Sequence, residues 1–120
     1  MQDFRNLKVW ERAHQFVVEV YNLTGTFPKC EQYGLTSQIQ RAAVSIVANI
    51  AEGCGRNSEA ELARFFEIAM GSASELEYHF LLSFDLGLLP KSEFEQLRDG
   101  VVEVKQMLTS FIKKLRADGR

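Results

Sequence analysis

The sequence predicts an all-α protein folded as an antiparallel, up-down four-helix bundle. Apolar residues recur at steps of three and four along the chain, strand signals are absent, and both prolines, Pro28 and Pro90, fall in short breaks between the periodic segments. These breaks divide the chain into helices near 7–26, 37–54, 58–86 and 92–117. The period is clearest in the fourth segment, at Phe94, Leu97, Val101, Val104, Leu108, Phe111 and Leu115.

Two serines mark predicted helix starts in the pattern of a capping box, Ser58 with Glu61 and Ser92 with Glu95. In this motif the serine hydroxyl and the glutamate side chain satisfy backbone N–H groups that a helix start leaves without partners. The other predicted caps are Asn6 for the first helix, Thr36 and Ser37 for the second, and Gly87 for the end of the third.

Length and composition predict one folded domain over residues 1–120. Hydrophobic residues make up 46% of the chain and charged residues 25%, which are the proportions of a globular protein. The 14 lysines and arginines are outnumbered by 16 aspartates and glutamates, so the net charge is -2. This balance argues against binding to nucleic acid through bulk positive charge and leaves only a local basic patch for that role.

The N-terminal stretch "MQDFRNLKVWERA" carries charges throughout and lacks the apolar centre of a signal peptide, and no later run has the length of a membrane span. We therefore expect a cytoplasmic protein with no membrane contact. The two cysteines, Cys30 and Cys54, are then expected to be reduced thiols, because the cytosol keeps thiols reduced.

The second predicted helix is apolar on more than one side. One seam faces the core of the bundle: Ile39, Ala43, Ile46, Ile50 and Cys54. A second seam lies on another side of the same helix: Val44, Val47, Ala48 and Ala51. A helix with two apolar sides needs a partner for each, so the sequence predicts a homo-oligomer.

Polar residues also follow one another at steps of three and four along this helix. Because buried polar groups must pair, we hypothesise a hydrogen-bonded network with the third helix, which would set the register of the two. Its predicted members are Arg41, Ser45, Asn49 and Glu52 on the second helix and Ser72 and Glu75 on the third.

The chain resembles the bacterial four-helix-bundle proteins encoded in intervening sequences of 23S ribosomal RNA genes. The resemblance covers nearly the whole chain and is carried by "FRNLKVWERA", "FPKCEQYGL", "QIQRAAVSIVANIAEGCGR", "FFEIAMGSASELE" and "VKQMLTSFIKKL". It implies a ring of five identical subunits. A distant relative is the accessory variability protein of diversity-generating retroelements, which associates with a reverse transcriptase and nucleic acid. For most members the molecular role is unknown.

Four basic residues are candidate contacts to nucleic acid or to an acidic partner: Arg56, Lys113, Lys114 and Arg116. Cations at a helix C-terminus also complement the helix dipole, which is the simpler explanation of the last three. In a ring, however, several copies of the tail gathered on one rim would form a positive surface despite the acidic total.

Catalytic and metal-binding patterns are incomplete. Glu11-x-x-His14 supplies half of the paired motif that a di-metal bundle requires, and Glu75 with His79 could add ligands but also suits ordinary helix contacts. We therefore predict no enzyme, no cofactor and no metal. The predicted function is a homo-oligomeric scaffold or binding module of unknown partner, and the alternative is a nucleic-acid-associated accessory protein that binds RNA or DNA through a basic rim.

Overall fold

Four helices make up most of the chain in a computed structural model, which describes residues 2–31 and 34–118. They are α1 (Lys8–Thr24), α2 (Leu35–Cys54), α3 (Glu59–Asp85) and α4 (Lys91–Asp118), and short 3-10 turns lie at Phe4–Asn6 and Lys29–Glu31. The described ranges contain no strand. The all-α class and the four helices are therefore confirmed, and every predicted boundary lies within two residues of the observed one.

The helices form an elongated bundle that measures 48 × 22 × 20 Å. Each helix packs against the helices before and after it in the chain, and α1 closes the arrangement against α4. α1 and α4 run antiparallel, because Arg12 pairs with Glu103 at 2.8 Å and Glu19, later in α1, accepts a hydrogen bond at 2.6 Å from Gln96, earlier in α4. None of the helices over these residues combines the length and apolar character that a membrane span needs.

The predicted core seams of α2 and α4 both face the interior. The five residues of the α2 seam are buried, and so are Leu97, Val101, Val104, Leu108 and Leu115 of α4, while Phe94 and Phe111 are half-buried. Gly100 lets α1 pack close to α4, since a Cβ at this position would overlap the ring of the fully buried Phe16. The absence of a side chain at Gly100 therefore makes room for the ring of Phe16 against α4.

The start of α3 is capped by Ser58 as predicted, but only the serine half of the capping box is formed, because the carboxylate of Glu61 pairs with Arg64. The hydroxyl of Ser58 accepts a hydrogen bond from the backbone N–H of Glu61 at 3.1 Å. The predicted cap of α1 is wrong, because the N-cap is Leu7 and its side chain makes no capping bond. Asn6 instead lies inside a 3-10 turn whose start is capped by Asp3.

The predicted cap of α2 is also wrong, because the helix begins before Thr36 and Ser37. Its N-cap is Gly34, which has no side chain to contribute. A carboxylate oxygen of Glu31 lies 3.4 Å from the backbone nitrogen of Leu35 and accepts a bond from it. The 3-10 turn before α2 thus supplies the acceptor that was predicted at Thr36 or Ser37.

The predicted capping box at Ser92 is the third correction. α4 begins at Lys91, and the carbonyl of Pro90 accepts the first helical bond, from the N–H of Phe94 at 2.9 Å. Ser92 therefore lies in the first turn of the helix. Pro90 is thus the N-cap of α4, where its missing N–H costs no intrahelical hydrogen bond.

The end of α3 follows the prediction at Gly87. This glycine has a φ of 79°, in the left-handed region that other residues rarely adopt. Its N–H donates to the carbonyl of Phe84 at 3.0 Å, and the N–H of Leu88 donates to that of Ser83 at 2.9 Å. These two bonds make a Schellman motif, which satisfies the last carbonyls of the helix and turns the chain toward α4.

Candidate functional site

The predicted polar network is centred on two serines that face each other across α2 and α3. The hydroxyl oxygens of Ser45 and Ser72 lie 2.8 Å apart. The side-chain amide of Asn49 donates to the Ser45 hydroxyl at 3.1 Å and to the Ser45 carbonyl at 2.8 Å. All three side chains are half-buried. Because the Ser45 hydroxyl accepts from Asn49, its own hydrogen can be donated to Ser72. The hydrogen bonds then run in one direction, from Asn49 through Ser45 on α2 to Ser72 on α3.

The other three residues of the predicted network lie apart from these serines. Glu52 pairs with Arg56 at 3.0 Å along the end of α2. Glu75 lies 3.0 Å from the Nε2 atom of His79 along α3. Arg41 is exposed and makes no hydrogen bond or ion pair with the described residues. The structure thus brings Ser45, Asn49 and Ser72 together. Glu52 and Glu75 instead bond to residues four positions later in the chain, and Arg41 is exposed to solvent.

The histidines have ordinary helix contacts. His14 stacks on Trp10 with 4.9 Å between ring centroids, and His79 is engaged by Glu75. In the part of the chain that the structure describes, no three His, Cys, Asp or Glu side chains lie close enough together to hold a metal ion. Neither of the partial metal motifs in the sequence is therefore completed by a neighbouring helix.

The two cysteines are free thiols in different environments. Cys30 is exposed, whereas Cys54 is buried at the end of α2. Burial raises the pKa of the Cys54 thiol above its usual value, and the nearby carboxylate of Asp3 raises it further. Because the thiolate is the reactive form, Cys54 is poorly suited to act as a nucleophile.

Exposed apolar or small residues lie on the same two helices as the serine pair, and we call them together the α2–α3 face. It consists of Val44, Ala48, Ile68, Gly71 and Tyr78. The exposed fractions of Val44, Ile68 and Tyr78 are 42%, 41% and 58%. A Cβ added at Gly71 would have no atom within 4 Å, so the backbone of α3 is open there.

The sequence predicted only the α2 half of this surface. Of the predicted second seam, Val44 and Ala48 are exposed, and Val47 and Ala51 are half-buried. Ile68 and Tyr78 were missed, although the signal was present. Both lie off the stripe that α3 buries in the core, which runs through Leu62, Phe66, Ala69, Ala73, Leu76 and Phe80.

The four candidate basic contacts lie on the last turns of α2 and α4 or just beyond them, at one end of the bundle. Arg56 pairs with Glu52 and lies 4.6 Å from the centre of the Phe65 ring. Arg116 pairs with Glu67. Lys113 and Lys114 are exposed, and no carboxylate among the described side chains pairs with them. Two of the four cations are therefore already engaged within the chain.

Comparison with solved structures finds a similar fold in a bacterial protein. The crystal structure of a protein of unknown function from the S23 ribosomal protein family of Bacteroides thetaiotaomicron matches with a TM-score of 0.81 and 26% sequence identity. The match covers 88% of this chain and 95% of that one. A search of curated proteins finds no match.

The family comparison covers most of the chain. Residues 5–110 match the model of the 23S rRNA-intervening sequence protein family. This range includes the serine pair, the α2–α3 face and all but the last turns of α4. Neither the family nor the similar structure is described as an enzyme. This chain belongs to the 23S rRNA-intervening sequence protein family.

Proposed function

We propose that the protein is a non-enzymatic scaffold or binding module of the cytoplasm, and that it assembles as a ring-shaped homo-oligomer, with five subunits as the favoured state. The α2–α3 face supports this proposal. Val44 and Ile68 are large apolar side chains left at 42% and 41% exposure, on two helices that a hydrogen bond holds side by side. Burial of these side chains against a neighbouring subunit would remove apolar surface from water, which favours association.

Gly71 adds a second argument for association through this face. Glycine inside a helix costs about 0.5–1 kcal/mol relative to alanine, and Gly71 lies in the middle of the 27-residue α3. Nothing among the described residues requires glycine at this position, since a Cβ there would have no atom of theirs within 4 Å. A neighbouring subunit that packs closely against the α3 backbone would explain it.

A closed ring also needs a second, different surface on each subunit, because its contacts join unlike patches. Val18 and Tyr21 on α1 are suitable, since they are 49% and 42% exposed and lie three residues apart on one side of the helix. We assign the α2–α3 face of one subunit to the exposed side of α1 on the next. The stoichiometry of five comes from the resemblance to the family.

The test is native mass spectrometry of the purified chain and of two matched variants. Ile68→Glu places a charge on the α2–α3 face, and Leu86→Glu places one at another exposed apolar side chain, 60% exposed, at the C-cap of the same helix. Leu86 is eighteen positions after Ile68, which puts it roughly 27 Å further along the helix axis. We expect a pentamer for the unmodified chain and for Leu86→Glu, and a monomer for Ile68→Glu.

Two results would contradict the proposal. One is a chain that is monomeric without substitution at micromolar concentration, and the other is a ring that survives Ile68→Glu. A closed ring of another number that Ile68→Glu still dissociates would correct the stoichiometry alone.

A second candidate function is an accessory role on nucleic acid. The exposed Lys113 and Lys114 favour it, because they lie on the last turns of α4 with no carboxylate partner among the described side chains. If this candidate is right, protein purified without nuclease carries RNA or DNA, and its affinity falls steeply as salt rises. The double variant Lys113→Gln/Lys114→Gln should then bind less and show a shallower salt dependence. Binding that is absent at low salt excludes this candidate.

A further inference from the structure

A groove lies between the start of α1 and the second half of α4, away from the α2–α3 face. Its volume is about 410 Å³. Its apolar lining comes from Leu7, Val9, Met107 and Phe111, and its polar edge from Lys8, Glu103, Gln106, Ser110 and Lys114. Ligand pockets are typically about 300–1,000 Å³ and mainly apolar with a few polar groups, so both size and lining suit a small ligand.

The groove exists because α1 is much shorter than α4. α1 has 17 residues and α4 has 28. The pairing of Arg12 with Glu103 sets their register, so α4 continues past the start of α1 after about Met107. Leu7, Met107 and Phe111 consequently remain half-buried at the place where a longer α1 would have covered them.

One wall of the groove is held in place by the core. Phe111 stacks on Phe66 with 4.6 Å between ring centroids, and Phe66 is fully buried. Val9, on the opposite wall, is 4% exposed. A ligand would therefore meet a preformed apolar floor, which reduces the entropy lost on binding.

The charges around the groove favour an anion. Its one carboxylate, Glu103, is neutralised by Arg12 at 2.8 Å. Lys8 and Lys114 are exposed, and neither forms an ion pair with a described carboxylate. Lys8 is also the first residue of α1, where a cation opposes the helix dipole, so helix stability does not account for it.

We propose that this groove binds a free medium-chain fatty acid. The alkyl chain lies along Leu7, Met107 and Phe111, and the carboxylate is held by Lys8 and Lys114. The register places Lys8 level with Met107, so a carboxylate that contacts both lysines lies between them, near Ser110. From Glu103 to Ser110 the helix rises roughly 10 Å, which suits the alkyl chain of an acid of about ten carbons. The α4 wall is the middle of a helix whose backbone groups are already paired, and neither wall is a strand edge, so the groove lacks the row of main-chain groups that would hold an extended peptide.

Isothermal titration calorimetry of the full chain tests the site, with sodium decanoate below its micelle concentration as the probe and 1-decanol as the uncharged analogue. We expect one decanoate per chain. The double variant Lys8→Gln/Lys114→Gln should weaken decanoate about tenfold or more, because it removes the charge-assisted contacts, and should leave the weaker binding of 1-decanol unchanged. Met107→Asp should weaken both ligands.

Lys113→Gln is the matched control, since Lys113 is an exposed lysine next to Lys114 that does not line the groove. It should bind decanoate like the unmodified chain. The proposal is overturned if decanoate shows no saturable binding, if the double lysine variant binds it unchanged, or if Lys113→Gln weakens it equally. Binding to anionic vesicles without binding to monomeric decanoate would likewise overturn it and point to a membrane surface.

Discussion

Two serine hydroxyls, rather than an ion pair, connect α2 with α3 beside the exposed face. The Ser45 hydroxyl accepts from Asn49 and lies 2.8 Å from that of Ser72, for which it is the one side-chain partner among the described residues. A hydrogen bond of this kind contributes about 0.5–1.5 kcal/mol, and leaving one buried partner unsatisfied costs about 1–3 kcal/mol. The hydrogen bond therefore helps to align the two helices, because a misaligned pair would leave a hydroxyl without a partner.

We predict that Ser45→Ala and Ser72→Ala are strongly non-additive. Each single change should lower the free energy of unfolding by about 1 kcal/mol, because it leaves a half-buried hydroxyl or amide short of a partner. The double variant should be little worse than either single one, which urea denaturation will measure. Additive losses would show that the two hydroxyls do not interact.

The two thiols should react at very different rates. Cys30 is exposed, whereas Cys54 is buried with a raised pKa, so less of it is thiolate at neutral pH. We expect iodoacetamide to modify Cys30 within minutes in the folded protein and to modify Cys54 only after denaturant is added. Mass spectrometry of digested protein gives both rates. Equal rates in the folded chain would contradict the burial of Cys54.

At the scale of helices, two serines that share one sequence pattern should behave differently. Ser58 caps α3 and Ser92 lies inside the first turn of α4. We predict that Ser58→Ala lowers the free energy of unfolding by about 0.5–2 kcal/mol, as loss of an N-cap does, and that Ser92→Ala changes it by less than about 0.5 kcal/mol. Chemical denaturation of the two variants side by side provides the comparison, and equal effects would contradict it.

The positions of the helices could be predicted from the sequence better than their caps. Periodicity placed every helix within two residues, because burial of an apolar stripe dominates helix formation. Capping failed at three starts, because caps also depend on residues before the helix. Asp3 organises a turn that absorbs Asn6, and Glu31 reaches the start of α2 from outside it.

Side-chain partners were less predictable than helices. Helical spacing put the predicted network on one strip, but it could not show that Glu52 and Glu75 bond to residues four positions later in the chain, Arg56 and His79. A charged side chain at a half-exposed position loses less solvation by staying at the surface than by crossing to another helix. The groove was missed for a different reason, since it depends on the register of α1 against α4.

At the scale of the whole molecule, the four helices are not held equally. α3 contacts both of its neighbours extensively, whereas α1 makes the smaller contacts and is the shortest helix. We predict that backbone amides of α1 exchange with deuterium earlier than those of α3, because local opening occurs where fewest contacts are lost. Exchange followed by mass spectrometry, with the segments around Phe16 and Phe80 as the matched pair, tests this order. Slower exchange in α1 would contradict it.

The even number of antiparallel helices brings the two ends of the described chain to one pole of the bundle. The N–H of Gln2 donates to the carbonyl of Cys54 at 3.0 Å, beside the turn into α3, and Arg116 near the end of α4 pairs with Glu67 of α3. The fold therefore suits circular permutation, since proximity of the ends allows a short linker to join them. New ends could be opened at the exposed Asn57 without cutting a helix.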